Sequence, residues 1–160
     1  MEKVVTDIMH PLTSYPSVFE RESLGRILGL MADVVKDKKR HHLIVVESTK
    51  SEKKVIKGFI TPREIVFGVA GHFLEGAENI GPIYWEGQLQ SECMESFRKH
   101  AGEIMEPIKA CINGSERIME AIFLLKRYQL LFLPVVRCEE VIGIIHLDDI
   151  LEEIVSMASE

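Results

Sequence analysis

What most constrains this chain is that it repeats itself. Asp7-Ile8-Met9-His10-Pro11 returns as Glu103-Ile104-Met105-Glu106-Pro107, and Leu43-Ile44-Val45-Val46 returns as Leu133-Pro134-Val135-Val136. Gly58-Phe59-Ile60-Thr61-Pro62-Arg63-Glu64-Ile65 returns as Gly143-Ile144-Ile145-His146-Leu147-Asp148-Asp149-Ile150, and the order is the same in both halves. Ordered self-similarity of this kind means one supersecondary pattern built twice. Met9 and Met105 lie 96 positions apart but Gly58 and Gly143 only 85, so the first copy carries 11 more residues (96 minus 85). The surplus falls around Ser14-Tyr15-Pro16, from Lys36 to Arg40, and from Glu47 to Lys54. All three stretches are polar or turn-like, where insertions are tolerated.

Each copy reads as strand, helix, strand, strand, helix. A short extended segment follows the Ile-Met-x-Pro lead-in. Apolar residues then recur at helical spacing, Leu24, Ile27, Leu28 and Met31 in one copy and Ile118, Ile122 and Leu125 in the other. β-Branched strands follow at Ile44–Val46 and Pro134–Val136, then second strands at Val55–Ile60 and Val141–Ile145. Helices close the copies at Pro62–Phe73 and Leu147–Met157. The expected organisation is a first repeat at 1–75, a linker with a short helix at 76–100, and a second repeat at 101–160. Gly76, Gly81-Pro82 and Gly87 punctuate the linker, and Gln90 to His100 reads as its helix. Tyr84, Trp85 and Phe97 in and beside it read as packing residues or as a partner-binding patch.

Composition removes several classes of function. A formal net charge of −6 argues against nucleic acid as the main partner, because phosphate neutralisation needs a basic face. The three cysteines, Cys93, Cys111 and Cys138, are odd in number and lack C-x-x-C spacing, so neither a disulfide framework nor a zinc knuckle is indicated. No apolar run approaches the roughly 18 residues that span a bilayer, and the first residues contain no apolar segment of signal-peptide length. A cytoplasmic protein without membrane insertion is expected. There is no nucleophile elbow, Gly-rich phosphate loop or H-E-x-x-H motif, and the paired acids Asp148-Asp149 and Glu152-Glu153 lack a supporting base or metal ligand. The chain therefore does not read as an enzyme.

The doubled pattern resembles a tandem pair of CBS (cystathionine beta-synthase) domains, a Bateman module. The resemblance is carried by Asp7-Ile8-Met9, Glu103-Ile104-Met105, Leu133-Pro134-Val135-Val136 and the two Gly-led strand-to-helix elements, and it covers residues 4–72 and 101–156. It implies an α/β (α+β) fold of two β-α-β-β-α repeats packed with pseudo-two-fold symmetry and leaving two clefts. It also implies adenosine-containing ligands, AMP, ADP, ATP or S-adenosylmethionine, as ligands rather than required cofactors. A homodimer that signals to a regulated protein is implied as well.

The resemblance assigns roles to particular residues. Thr61 and Glu64 fall at the phosphate- or ribose-contacting hydroxyl and the ribose-binding carboxylate, with Arg63 between them. In the second copy His146 stands in place of the hydroxyl and Asp149 takes the carboxylate position. The backbone at Ile44, Leu133 and Pro134 falls where the adenine edge is met, with Ile44 matched to Pro134. The residues also support a plain structural reading. Thr61 at N-cap, Pro62 at N1 and Glu64 at N3 form a capping box that needs no ligand. His146 reads equally as a structural histidine or as a phosphate donor. The run Lys36-Asp37-Lys38-Lys39-Arg40-His41-His42 reads as a solvated helix end or as the basic mouth of a site. Two functions therefore stand: a regulatory module sensing an adenosine-containing ligand, or a dimerisation and interaction module with degenerate clefts. The apolar stripe Ile150, Leu151, Ile154 and Met157, with the helix after Thr61, is the expected dimer surface.

Overall fold

The computed structural model describes residues 1–37, 41–48, 53–74 and 84–160. Lys38, Lys39 and Arg40 of the basic run, most of the turn after Glu47, and the linker glycines Gly76 and Gly81 lie outside those residues. The chain divides into two compact units, named here for their place in the sequence: a central unit, Tyr15–Pro107, and a terminal unit formed by Met1–Ser14 with Ile108–Glu160.

In the central unit the strands are β2 (Ser17–Phe19), β3 (Ile44–Glu47), β4 (Ile56–Ile60) and β5 (Glu106–Pro107), hydrogen-bonded in the order β2-β3-β4-β5. The β2–β3 pair is parallel and the other two pairs are antiparallel. Helix α2 (Leu24–Lys36) starts at Ser23, whose side chain accepts a 3.4 Å hydrogen bond from the Arg26 N–H. It buries Leu24, Ile27, Met31 and Val34, one face at helical spacing. These residues join Ile44, Val46 and Ile60 of the sheet, together with Ile65 and Val69 of α3 (Pro62–Leu74), in one core. The linker helix α4 (Gln88–Ser96) is fastened to α3 by polar side chains. The buried Ser96 hydroxyl lies 3.3 Å from the Val69 carbonyl as well as 2.7 Å from the Glu92 carbonyl of its own helix, and Lys99 Nζ, just past α4, donates to the Gly68 carbonyl at 2.7 Å. Tyr84, Trp85 and Phe97 remain 74%, 52% and 42% exposed, so it is Cys93 and Ser96, not the aromatics, that seat this segment.

The terminal unit repeats the plan. Its strands are β1 (His10–Pro11), β6 (Ile112–Asn113), β7 (Phe132–Arg137) and β8 (Glu140–His146), in the order β1-β8-β7-β6. Helices α6 (Ile118–Tyr128) and α7 (Leu147–Ala158) supply Ala121, Leu125 and Ile150 to a core with Leu133, Val135 and Ile145. The expected order strand, helix, strand, strand, helix holds in both copies, running β2-α2-β3-β4-α3 and β6-α6-β7-β8-α7. Part of the surplus of the first copy falls in the β3–β4 connection, one of the three places expected for it. β7 and β8 are joined through the two residues Cys138-Glu139, whereas β3 and β4 are separated by residues 48–55.

The lead-in segments depart from the repeat boundaries. Helix α1 (Val5–Ile8) and β1 belong to the first repeat in sequence, yet they fold with the second repeat: β1 pairs with β8, and Val5 lies wholly buried in that core. Helix α5 (Ala101–Ile104) and β5 belong to the second repeat and fold with the first, where β5 pairs with β4. Each lead-in is thus exchanged.

The exchange explains two repeated residue types together. A Cβ at Gly58 would lie 2.5 Å from the Glu106 carbonyl oxygen and 2.9 Å from Met105 Sδ. A Cβ at Gly143 would lie 2.5 Å from the His10 carbonyl oxygen and 2.7 Å from Met9 Sδ. The repeated glycine is therefore the seat of the other copy's repeated Met-x-Pro strand.

Strand register corrects one sequence match by a single residue. Val46 faces Gly58 and Val135 faces Gly143, and each ladder shifts register immediately afterwards. Ile44 is therefore equivalent to Leu133, and the counterpart of Pro134 is Val45.

Candidate functional site

In each repeat the second long strand leads into the closing helix, β4 into α3 through Thr61 and β8 into α7 at its end residue His146. The first backbone N–H groups of a helix have no partner inside it, and an acid at N3 can reach back to the N-cap N–H. In the central unit Glu64 does this: its Oε2 accepts from the Thr61 N–H at 2.9 Å and also accepts the Thr61 hydroxyl. In the terminal unit Asp149 takes the same place, its Oδ2 accepting from the His146 N–H at 2.8 Å. The two carboxylates are thus fixed at equivalent positions by the helix starts themselves.

The sequence-derived residues sort into two equivalent groups. Ile44 faces Ile60 across β3 and β4, beside Thr61, and its side chain is wholly buried. Leu133 faces Ile145 beside His146 and is equally buried, and Pro134 faces Ile144. The Ile44 and Leu133 side chains are spent on the cores of their units. Arg63 is exposed on the first turn of α3, with its guanidinium 5.2 Å from the centre of the Phe67 ring, a cation–π distance.

The two groups differ in chemistry. Thr61 and Glu64 are part-buried, and their turn combines a hydroxyl with a carboxylate. Asp149 and His146 are 8% and 5% exposed. The His146 ring lies between Phe132, 5.6 Å away between centroids, and His10, 6.0 Å away and edge-on. His10 Nε2 sits 2.7 Å from Asp149 Oδ1. Asp149 therefore holds a backbone N–H on one oxygen and an imidazole on the other, and His10, not His146, is the more accessible ring, its side chain 45% exposed.

His10 and Phe132 were absent from the residues expected at the site. Phe132 immediately precedes Leu133, so position alone could have suggested it. His10 lies 139 residues from Asp149, and its only sequence signal is that it fills the variable place of Ile-Met-x-Pro. Without the exchange of lead-ins it would have been grouped with Glu64.

Residues 101–156 match the family model described as the CBS domain. No curated protein matches the chain. Among solved structures, the CBS-pair protein CBSX2 from Arabidopsis thaliana is 18% identical and superposes with a TM-score of 0.69 over 100% of this chain and 99% of that one. CBSX2 in complex with AMP gives 18% identity and a TM-score of 0.65 over 97% and 98%. The cytosolic domain of the Mg2+ channel MgtE in complex with ATP gives 21% and 0.64, covering 96% of this chain and 49% of that one. At these identities the likeness is one of fold. Among the described residues no helix is long and apolar enough to cross a membrane.

Proposed function

With residues 101–156 a CBS domain and the chain as a whole built on the CBS-pair fold, we propose that the protein is a regulatory module, not an enzyme, that binds an adenosine-containing ligand and passes its state to a partner protein. The observation that carries this reading is the equivalence of Glu64 and Asp149, each fixed by the backbone N–H of the residue that precedes its repeat's closing helix. A carboxylate so held accepts the two hydroxyls of a ribose without having to be ordered first, and the adjoining helix start favours a phosphate. Solved structures of the same fold, CBSX2 with AMP and the MgtE cytosolic domain with ATP, support an adenine nucleotide as the ligand class. AMP, ADP, ATP and S-adenosylmethionine are the candidates. A thermal-shift series with all four tests this, since a ligand that binds only the native state raises the midpoint with concentration. The reading is abandoned if none moves the midpoint at millimolar concentration.

A dimerisation and interaction module is the second reading, favoured by surface. Leu147, Leu151, Ile154 and Val155 form an exposed stripe on α7, between 44% and 57% accessible, and Val66 and Phe67 are exposed on α3. Ile150 is buried at 3% and belongs to the terminal core, so it drops out of the expected dimer surface, while Met157 stays exposed. Contiguous apolar faces of this kind mark association sites. We propose a homodimer built on these helices, and a monomer in sedimentation at micromolar concentration would count against it.

A further inference from the structure

Resting on the adenosine-ligand reading, we infer that His10 is a ligand-selecting residue of the terminal unit, giving that unit a preference for phosphorylated nucleosides over neutral or cationic adenosine compounds. Three observations carry it.

The exchange of lead-ins delivers His10 to the terminal unit, where its Nε2 lies 2.7 Å from Asp149 Oδ1. The hydroxyl that stands beside the carboxylate in the central unit, Thr61, has no counterpart here. Its place is taken by His146, which is 5% exposed and lies between the Phe132 and His10 rings. His10 itself is 45% exposed at its side chain, so it brings beside Asp149 an accessible imidazole that can carry a positive charge. At the matching strand position the central unit has Glu106, which stands to Phe59 as His10 stands to Ile144. At the same register position the terminal unit thus carries a potential cation and the central unit an acid.

A protonated His10 keeps Asp149 in a charge-assisted hydrogen bond and offsets its charge, which otherwise repels an incoming phosphate. A ligand with a phosphate next to its ribose gains from that cation. Adenosine has nothing there to gain, and S-adenosylmethionine presents a sulfonium of the wrong sign.

The test compares AMP, adenosine and S-adenosylmethionine by isothermal titration on the full chain, wild type and His10→Gln. Gln retains a donor for Asp149 and removes the charge. Wild type is expected to favour AMP over adenosine, and His10→Gln to lose roughly tenfold of that preference, read as the ratio of the two affinities, the difference between a charge-assisted and a neutral contact. His10→Lys, which restores a cation, should recover the preference, as a merely structural role for His10 would not. The histidine ring resonances of the wild-type protein give a second readout: AMP should shift those of His10 and adenosine should leave them near their free positions. A His10→Gln protein with the wild-type ratio of AMP to adenosine affinity, or His10 ring signals unmoved by AMP, overturns the inference while leaving the adenosine-ligand reading intact. Wild type that binds none of the three overturns this inference, and a midpoint also unmoved by ADP and ATP overturns the adenosine-ligand reading with it.

Discussion

Cys138 and Glu139 make the whole turn between β7 and β8, with φ of 50° and 66°. Both angles fall in the left-handed region, where a Cβ crowds the following carbonyl at about 1–2 kcal/mol per residue. A two-residue hairpin with both residues left-handed is the form that Asn-Gly fits best. Replacing the pair, Cys138→Asn with Glu139→Gly, should raise unfolding stability by about 1–2 kcal/mol, read as a higher urea midpoint at unchanged slope; an unchanged midpoint means that the turn is not strained. Thr61 and Glu64 call for a different experiment, because Thr61 gives both its N–H and its hydroxyl to one carboxylate oxygen. Thr61→Ala should cost about 1 kcal/mol whether or not a ligand binds. Glu64→Gln separates the roles. The amide oxygen still caps α3, so stability should change by less than about 0.5 kcal/mol, while a ribose diol loses a charged acceptor and affinity should fall roughly tenfold. Equal nucleotide affinity in Glu64→Gln and wild type would leave Glu64 a cap and nothing more.

Packing between elements turns on the two repeated glycines. A methyl group at Gly58 or Gly143 meets the carbonyl of the exchanged lead-in strand as well as a methionine sulfur, and the backbone cannot swing aside as the side chain can. Gly58→Ala and Gly143→Ala should each destabilise by about 1–3 kcal/mol, as overpacking does, and should weaken amide protection in β5 and β1 respectively. Protection lost elsewhere but kept in those strands would contradict the contact. These glycines also mark how far the sequence could be read. The helices and long strands were legible because each has enough residues to display its period: α2 declares its face through Leu24, Ile27 and Met31. The lead-in strands have two residues each, too few for any period, and Ile-Met-His-Pro and Ile-Met-Glu-Pro suit either sheet, so nothing local named the partner. Matching the two Val pairs by similarity likewise slipped by one residue, because the irregularity after Val46 and Val135 is a ladder property that spacing does not reveal. At the site, the Thr61–Glu64 cap was legible because it spans only three residues, whereas His146 and Asp149 were matched to those positions by the resemblance and their own cap went unread. His10 was not legible, for the same reason that the exchange was not. Ile150 was misplaced because a helical stripe shows which residues share a side without showing which edge of it meets the core.

At the scale of the whole chain, the exchange predicts that damage to one end appears in the other half of the sequence. Met1–Ser14 is part of the terminal unit. There Val5 is fully buried, its N–H donates to the Glu116 carbonyl at 2.9 Å, and the Thr6 N–H donates to the Gly114 carbonyl at 3.0 Å. Lys3 Nζ pairs with Glu153 of α7 at 2.7 Å, and β1 covers the free edge of β8. Burial of a valine alone is worth about 1.5–3 kcal/mol, and Leu12, the β1 ladder and the His10–Asp149 contact add to it. Domains of this size hold only about 5–15 kcal/mol in total, so a chain lacking the first 14 residues should lose a large share of the stability of that unit. Hydrogen exchange on the truncated protein should show amides of residues 112–158 losing protection, those of β7 and β8 included, while α2, β3 and β4 keep theirs. The milder Val5→Ala should move the same amides in the same direction, by about 2 kcal/mol of opening free energy, and it guards against a truncated chain that simply aggregates. Had each repeat folded with its own lead-in, both changes would strike residues 15–74 and spare the C-terminal half. Protection lost from α2, β3 and β4 with β7 and β8 intact would therefore reverse the assignment of the N-terminal segment, and with it the placement of His10 beside Asp149.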